Sequence, residues 1–290
     1  MRRRLGVGVP IGAGLSDCQG LIHAPGLDWD PRELLRGCRL AIWQFDHLVA
    51  GQQPFERFAA AMAPSPVIDL TDGFAAYQEK LQVKSPRFCR DLRRQMRKLE
   101  RDAGELRFVG DSRDADVMRT LMGWKSEQSR QNEWIDVFAR PWVADLVDYL
   151  FGIQGHRFSG LLSVCYAGDQ PVAAQFGLRS ESVFAGWFTA YDSRFGKYSP
   201  GLIQLMQMAE ALAAAGIQTI DLGDGAASYK ERLKSHDQFV AEGMAARRPA
   251  LARAQRARST MAAWARRQIK QYPPLFRAAD RLLRHYDRIG

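Results

Sequence analysis

The stretch Arg194-Phe-Gly196-Lys197-Tyr198-Ser199-Pro-Gly201 combines residue types that can hold a phosphate. Gly196 and Gly201 permit close backbone approach, Ser199 offers a hydroxyl, and Arg194 and Lys197 bring positive charge. Pro200 stands where the first turn of a helix favours proline. A helix N-terminus offers free amides and the positive end of a dipole, which suits a pyrophosphate. Asp221-Leu-Gly223-Asp-Gly225 also allows a phosphate turn, although a lone Gly-x-Gly is weak evidence. Metal chemistry finds no support. The histidines (23, 47, 156, 236, 285) and cysteines (18, 38, 89, 165) are scattered, with neither helical i, i+4 nor Cys-x-x-Cys spacing. No Ser-His-Asp arrangement can be argued, and Cys165 reads as a small buried hydrophobe.

Those residues need elements to position them. Leu40–Leu48 alternates as a strand, Pro54–Met62 reads as a short helix and Val67–Leu70 as a strand. Before them, the first thirty residues, with Gly6, Gly8 and Gly12, read as irregular loop. Pro86–Ala103 is an amphipathic helix. Phe88, Leu92, Met96, Leu99 and Ala103 lie on one side, and Arg90, Arg94, Arg97 and Arg101 on the other. The arginine stripe fits phosphates, an acidic glycan or a solvated face. A strand at Glu105–Val109 and helices at Asp114–Glu133 and Pro141–Phe151 follow. Their aromatics read as core, with Trp124 and Lys125 as candidates to line a groove.

The next hundred residues are the most legible. Gly160–Ala167 and Pro171–Leu178 are strands joined by the hairpin turn Gly168-Asp169-Gln170, and Val183–Tyr191 is a third. A polar loop, Asp192–Ser199, leads to a helix that runs to Ala215 and stops at the C′ glycine Gly216. Strand Ile217–Leu222, a short helix Ser228–Lys234 and strand Phe239–Met244 complete the pattern.

Composition narrows the class of protein. In 290 residues, 46% are hydrophobic and 25% charged, which excludes wholesale disorder and a disulfide miniprotein. The net charge of +9 is carried by the tail. Residues 247–290 hold twelve Arg or Lys against Asp280 and Asp287, while the preceding 246 residues are close to neutral. Two tail helices break at Pro273-Pro274. In the second, Leu275, Phe276, Ala279, Leu282, Leu283 and Tyr286 face away from four arginines. Such a helix suits an anionic membrane surface, an acidic partner or docking on its own domain. Met1-Arg-Arg-Arg lacks the apolar run of a signal peptide, and no stretch is long enough to span a membrane. The expected location is cytoplasmic, with the tail able to sit at the inner membrane face.

The element order from 160 to 244 resembles the GNAT acyltransferase superfamily. Tyr198-Ser-Pro-Gly201, together with Gly216-Ile-x-x-Ile-Asp221-Leu-Gly-Asp-Gly225 leading to Ser228-Tyr229-Lys230, is similar to the CelD/BcsL-type acetyltransferase-like proteins, relatives of the FemAB peptide-bridge transferases. The resemblance implies an α/β fold, a GNAT-like mixed sheet with flanking helices, followed by the basic helical tail. It divides the chain into 1–83, a remnant of a first GNAT-like half, 84–246, the acyltransferase domain, and the tail 247–290. It implies acetyl-CoA as co-substrate, held by Arg194, Gly196, Lys197, Tyr198, Ser199 and Gly201, with no metal. Lys197 stands where such enzymes commonly have glycine. Tyr229 lies where they often place a proton donor for the thiolate, and Asp192 and Asp221 are the carboxylates nearest the expected cleft. Trp124, Lys125, Gln175, Trp187 and Lys230 are the candidate substrate contacts. The acceptor is expected to be an amine or hydroxyl of a sugar, exopolysaccharide precursor or envelope metabolite. Two alternatives remain: a FemAB-like transferase using aminoacyl-tRNA, and a catalytically inactive binding module.

Overall fold

A computed structural model describes residues 2–4, 6–12, 15–223 and 228–251. It resolves into two compact units, residues 1–64 with 238–290, and residues 65–237. The basic tail beyond residue 251, Asp224 and Gly225 lie outside the described residues.

The first unit is built on β1 (Arg2–Arg4), β2 (Val7–Val9), β3 (Ile42–Val49) and most of β10 (His236–Ala246). The strands β1 and β2 are antiparallel, β2 joins β3 in parallel, and β10 runs antiparallel to β3. Two of these strands thus fall where the sequence reads as loop. Helix α1 (Pro31–Gly37) starts from Asp30, whose carboxylate accepts from the amides of Arg32 and Glu33. Leu35, Leu40, Phe45, Leu48 and Phe55 form the core here, with Trp43 and Trp29 against Phe55. The expected helix over 54–62 is confined to α2 (Gln53–Glu56), and strand β4 (Ala59–Asp69) begins soon after it. Helical spacing in a run of alanines does not distinguish the two states, and tertiary pairing decides.

The second unit carries a mixed sheet in the order β4, β9 (Thr219–Asp221), β8 (Val183–Tyr191), β7 (Gln170–Arg179), β6 (Ser159–Ala167), β5 (Leu106–Val109). Every neighbouring pair is antiparallel except β8 and β9. On one face lie α3 (Gly73–Lys84), α4 (Pro86–Ala103) and α7 (Pro200–Ala214). Their contact with the sheet joins Tyr77, Leu81, Leu205, Met208 and Leu212 to Phe184, Ile220 and Leu161. On the other face α5 (Ala115–Gln131) and α6 (Pro141–Gly152) cover Phe188 and Phe176. Alternation places each strand's large residues on both faces, as a doubly covered sheet requires. The α/β architecture, a mixed sheet with flanking helices, is as expected from the sequence.

Helix α4 has the bounds that its periodicity predicts. Leu99 is fully buried, Leu92, Met96 and Ala103 pack beside it, and Arg90, Arg94, Arg97 and Arg101 are exposed. Arg94 pairs with Asp91 at 3.4 Å and Arg101 with Asp102 at 2.9 Å, both at the surface.

Candidate functional site

Strands β8 and β9 begin side by side and then part. Their parallel register covers Val183–Thr219, Phe184–Ile220 and Ala185–Asp221. Immediately beyond it, the β7–β8 register shifts, so that Gly177 faces Gly186 while Phe176 faces Phe188. Trp187 is therefore the extra residue of a β-bulge, which bends a strand and increases its twist. Glycines at 177 and 186 accommodate it. A Cβ on Gly186 would stand 2.6 Å from the amide nitrogen of Gln175, and one on Gly177 2.4 Å from the carbonyl oxygen of Ala185. Beyond Ala185, strand β8 pairs with β7 alone among the described residues.

At the end of β8 the chain enters a short 3-10 helix, Ser193–Tyr198, rather than an open loop. Asp192 holds it in place. Its buried carboxylate accepts from the Arg194 amide at 2.9 Å and from Nε and a terminal nitrogen of the Arg194 guanidinium. Arg194 keeps that carboxylate below the usual aspartate range, so Asp192 anchors the loop and is a poor base. The same bonds engage Arg194, whose charge is therefore largely compensated. Tyr198 is buried, and its hydroxyl donates to Asp102 at 2.8 Å, tying the loop to the end of α4. Lys197 stays at the surface with its ammonium 4.8 Å from the Tyr198 ring centre. Ser199 adopts a left-handed φ of 55° and makes no side-chain cap, and Pro200 opens α7. A Cβ on Gly196 or Gly201 would meet only the Tyr191 ring, at 3.6 and 3.4 Å. Backbone approach to the helix N-terminus is thus limited by one half-exposed side chain. Pro200 has no amide hydrogen, and the Leu202 and Ile203 amides donate to the Ser199 carbonyl (3.0 and 3.3 Å), so what remains here for a diphosphate is the Gly201 amide, the open backbone of two glycines and the charge of Lys197.

The exit of β9 carries the other candidates. Asp221 turns its Oδ1 onto the Gly223 amide (2.8 Å) and accepts from the Ser65 hydroxyl (3.2 Å). Gly223 has a φ of +73°, which a turn here requires. Tyr229 lies on α8 (Ser228–Leu233) with its ring half-buried against the Ile220–Leu233 core. Its hydroxyl makes no hydrogen bond among the described residues, and burial raises its pKa, keeping the phenol protonated. Among those residues no hydrogen bond joins it to Asp192 or Asp221.

The expected substrate contacts divide. Trp187, at the bulge, and Trp124, on α5, are half-buried. Lys125 reaches across to β8, its ammonium donating to the Thr189 carbonyl (3.3 Å) and to Gln128 (3.1 Å). Lys230 donates to the Gly223 carbonyl at 3.2 Å. Gln175 is buried at 4% exposure, with its amide nitrogen against Gly186, and the Ser163 and Gln204 side chains form a buried pair (2.7 Å). Sequence reasoning missed the bulge, although Gly177 and Gly186 within strands were its signal.

In the second unit, a mixed sheet with one parallel pair, covered by helices on both faces, defines the fold class as α/β. The sequence model described as the acetyltransferase (GNAT) domain matches residues 86–231, half of the chain, and the protein belongs to that family. No curated protein matches it. Among solved structures, a C-terminal domain assigned to a lysylphosphatidylglycerol synthetase of Agrobacterium fabrum is similar at 15% identity. Its TM-score is 0.50, with 79% of this chain and 74% of that chain covered. FemX is 8% identical with a TM-score of 0.49 and 73% of each chain covered. A GCN5-related N-acetyltransferase from Kribbella flavida is 11% identical with a TM-score of 0.39, covering 73% and 71%. Among the described residues, no helix is long and apolar enough to cross a membrane.

Proposed function

We propose that the protein transfers an acyl group from acyl-CoA, acetyl-CoA in the first instance, to an amine or hydroxyl acceptor. The acceptor class is a sugar, an exopolysaccharide precursor or an envelope metabolite, as in the CelD/BcsL type. The observation that carries this reading is the end of the β8–β9 pairing at Ala185–Asp221, with β8 leading through the Ser193–Tyr198 turn to the start of α7. Acyl-CoA supplies an activated thioester when bound. The Gly201 amide at the start of α7, the open backbone at Gly196 and the ammonium of Lys197 would hold its diphosphate. An ammonium acceptor must first lose a proton, at a cost of about 4.6 kcal/mol at pH 7. Asp192 is engaged with Arg194, which leaves Asp221, or water beside it, as the acceptor of that proton. Tyr229, kept protonated by burial, returns a proton to the departing thiolate.

Two variants separate binding from chemistry. Gly201→Asp adds a carboxylate at the helix N-terminus, a position that suits the helix itself, so the fold should survive. It should remove most acetyl-CoA affinity in isothermal titration, and equal binding to wild type would refute the cradle. Tyr229→Phe should bind acetyl-CoA yet lose about 10²–10⁴ in turnover. Full thiol release by that variant would remove Tyr229 from the mechanism. The exposed α4 arginines favour the aminoacyl-tRNA alternative. Thermal stabilisation by tRNA but not by acetyl-CoA would replace the first reading with that one.

A further inference from the structure

Helix α4 carries an apolar row that the fold does not enclose. Phe88, Leu92 and Met96 repeat at four-residue intervals, the spacing of a core-facing stripe. All three stay half-buried, whereas Leu99, one turn on, is fully enclosed. They line a cavity of about 160 Å³ between α3, α4 and α7, with Phe74 and Met206 on its other sides. Packing divides at this place. Phe74, Phe88 and Met206 belong to the core around Leu81 and Met208, while Leu92 and Met96 belong to the core around Leu99 and Ile203.

Such a wall offers water few hydrogen bonds, and an apolar group of matching size gains by filling the space. A cavity of about 150 Å³ lined by aliphatic and aromatic side chains holds a benzene-sized guest. The mouth is polar, and its charge selects the guest's other end. Arg93, exposed on α4, lines the cavity and donates to the neutral Gln82 side chain at 3.0 Å. Arg232 stands 5.6 Å from the centre of the Phe88 ring and donates to the Ser228 carbonyl and hydroxyl. Glu210, on α7, brings one negative charge to the lining. Basic charge outweighs it, because α4 alone carries seven basic residues against three acidic ones. A field of that sign draws an anionic group to the α4 side of the mouth.

We infer that the cavity between α3, α4 and α7 binds a small apolar acid, with its ring or short chain inside and its carboxylate on Arg93. This site lies beyond the acyl-CoA reading and does not depend on it.

Cys89, in the cavity wall, supplies a local readout. It is half-buried, and burial raises its thiol pKa, so it should react slowly, and a bound guest should slow it further. The full chain is titrated calorimetrically with 3-phenylpropionate, with its amide and with 3-phenylpropylamine, which share the ring and differ in charge. Iodoacetamide labelling of Cys89 is followed in parallel by peptide mass spectrometry. The acid should bind about three- to fivefold more tightly than the amide, the range of an exposed ion pair, and should protect Cys89. Arg93→Gln, its folding checked by melting, should bring that ratio to about one and leave the amide's affinity unchanged. Tightest binding by the amine would assign the head group to Glu210 and overturn the proposal. So would an acid preference that survives Arg93→Gln, or acid and amide binding equally to wild type. Failure of all three compounds to bind or to protect Cys89 would remove the site itself.

Discussion

The two edges of strand β8 behave oppositely. Towards β7 it is sealed along its length, from Arg179–Phe184 to Ala173–Tyr191, and Leu162, Val164, Ala174 and Phe176 beneath and beside that hairpin are wholly enclosed. Towards β9 it pairs only at Val183, Phe184 and Ala185 among the described residues. The sealed edge is made of side chains that gain by leaving water. The open edge collects features that cost the free protein: Ser199 in a left-handed conformation and Lys125 half-buried without a carboxylate partner among the described residues. Tight packing and local cost thus lie on opposite sides of a single strand, and substitutions should respond according to side.

The largest effect belongs to the sealed edge. Gly177→Ala would set a methyl carbon 2.4 Å from both the Ala185 carbonyl oxygen and the Phe184 ring, neither of which can withdraw. A loss of about 3 kcal/mol is expected in denaturant unfolding. An unchanged midpoint would show that the hairpin is looser than its packing implies.

On the open edge the sign reverses. Lys125→Met should stabilise by about 0.5–2 kcal/mol near neutral pH, as replacing a desolvated ammonium by an apolar side chain of similar length does. The pH dependence follows from the direction of the shift. Desolvation, with Lys230 adding to it, lowers the folded-state pKa of Lys125 below that of a free lysine. At pH below the folded value, the group is charged in both folded and unfolded chains, and folding carries the whole penalty. As pH rises through that value towards about 10.4, the penalty fades and stability grows. Melting temperatures of wild type and Lys125→Met should therefore converge on the alkaline side. A constant gap would contradict a desolvated ammonium.

The smallest effect lies on α4. Arg90→Gln with Arg97→Gln removes two exposed charges, and the melting point should move by no more than about 0.5 kcal/mol equivalent. A larger shift would mean that the stripe is held by contacts beyond solvent.

Local pattern made much of the second unit legible. The four- and three-residue spacing of α4, the Gly-Asp turn of the β6–β7 hairpin and Pro200 before α7 are short-range signals, and the elements stand where they point. Gly216, at φ +84°, ends α7 as a C′ glycine should. Helix α3 carried no such signal, because only Tyr77 and Leu81 of its twelve residues are buried and no apolar stripe repeats. The site was readable by residue type more than by role. That Asp192 would bind the guanidinium two residues on depends on a 3-10 turn, and sequence showed only a polar loop. Lys125 meets Thr189 across 64 positions of chain, a contact that only the folded sheet creates. The burial of Gln175 depends on Gly186 of the neighbouring strand, where a Cβ would stand 2.6 Å from its amide nitrogen.

Strand β9 has one more consequence. It is three residues long, yet it is the shared partner of β4 and β8, through Thr219, Ile220 and Asp221 on both sides. Native proteins open to isotope exchange in cooperative blocks, and a block boundary falls where few backbone bonds cross. This narrow isthmus is such a boundary, so Thr219–Asp221 should exchange their amide hydrogens well before Leu162–Val164. A molecule bound to both β8 and the exit of β9 would act as a splint across it, and its arrival should be recorded as slowed exchange at three amides that it need not touch.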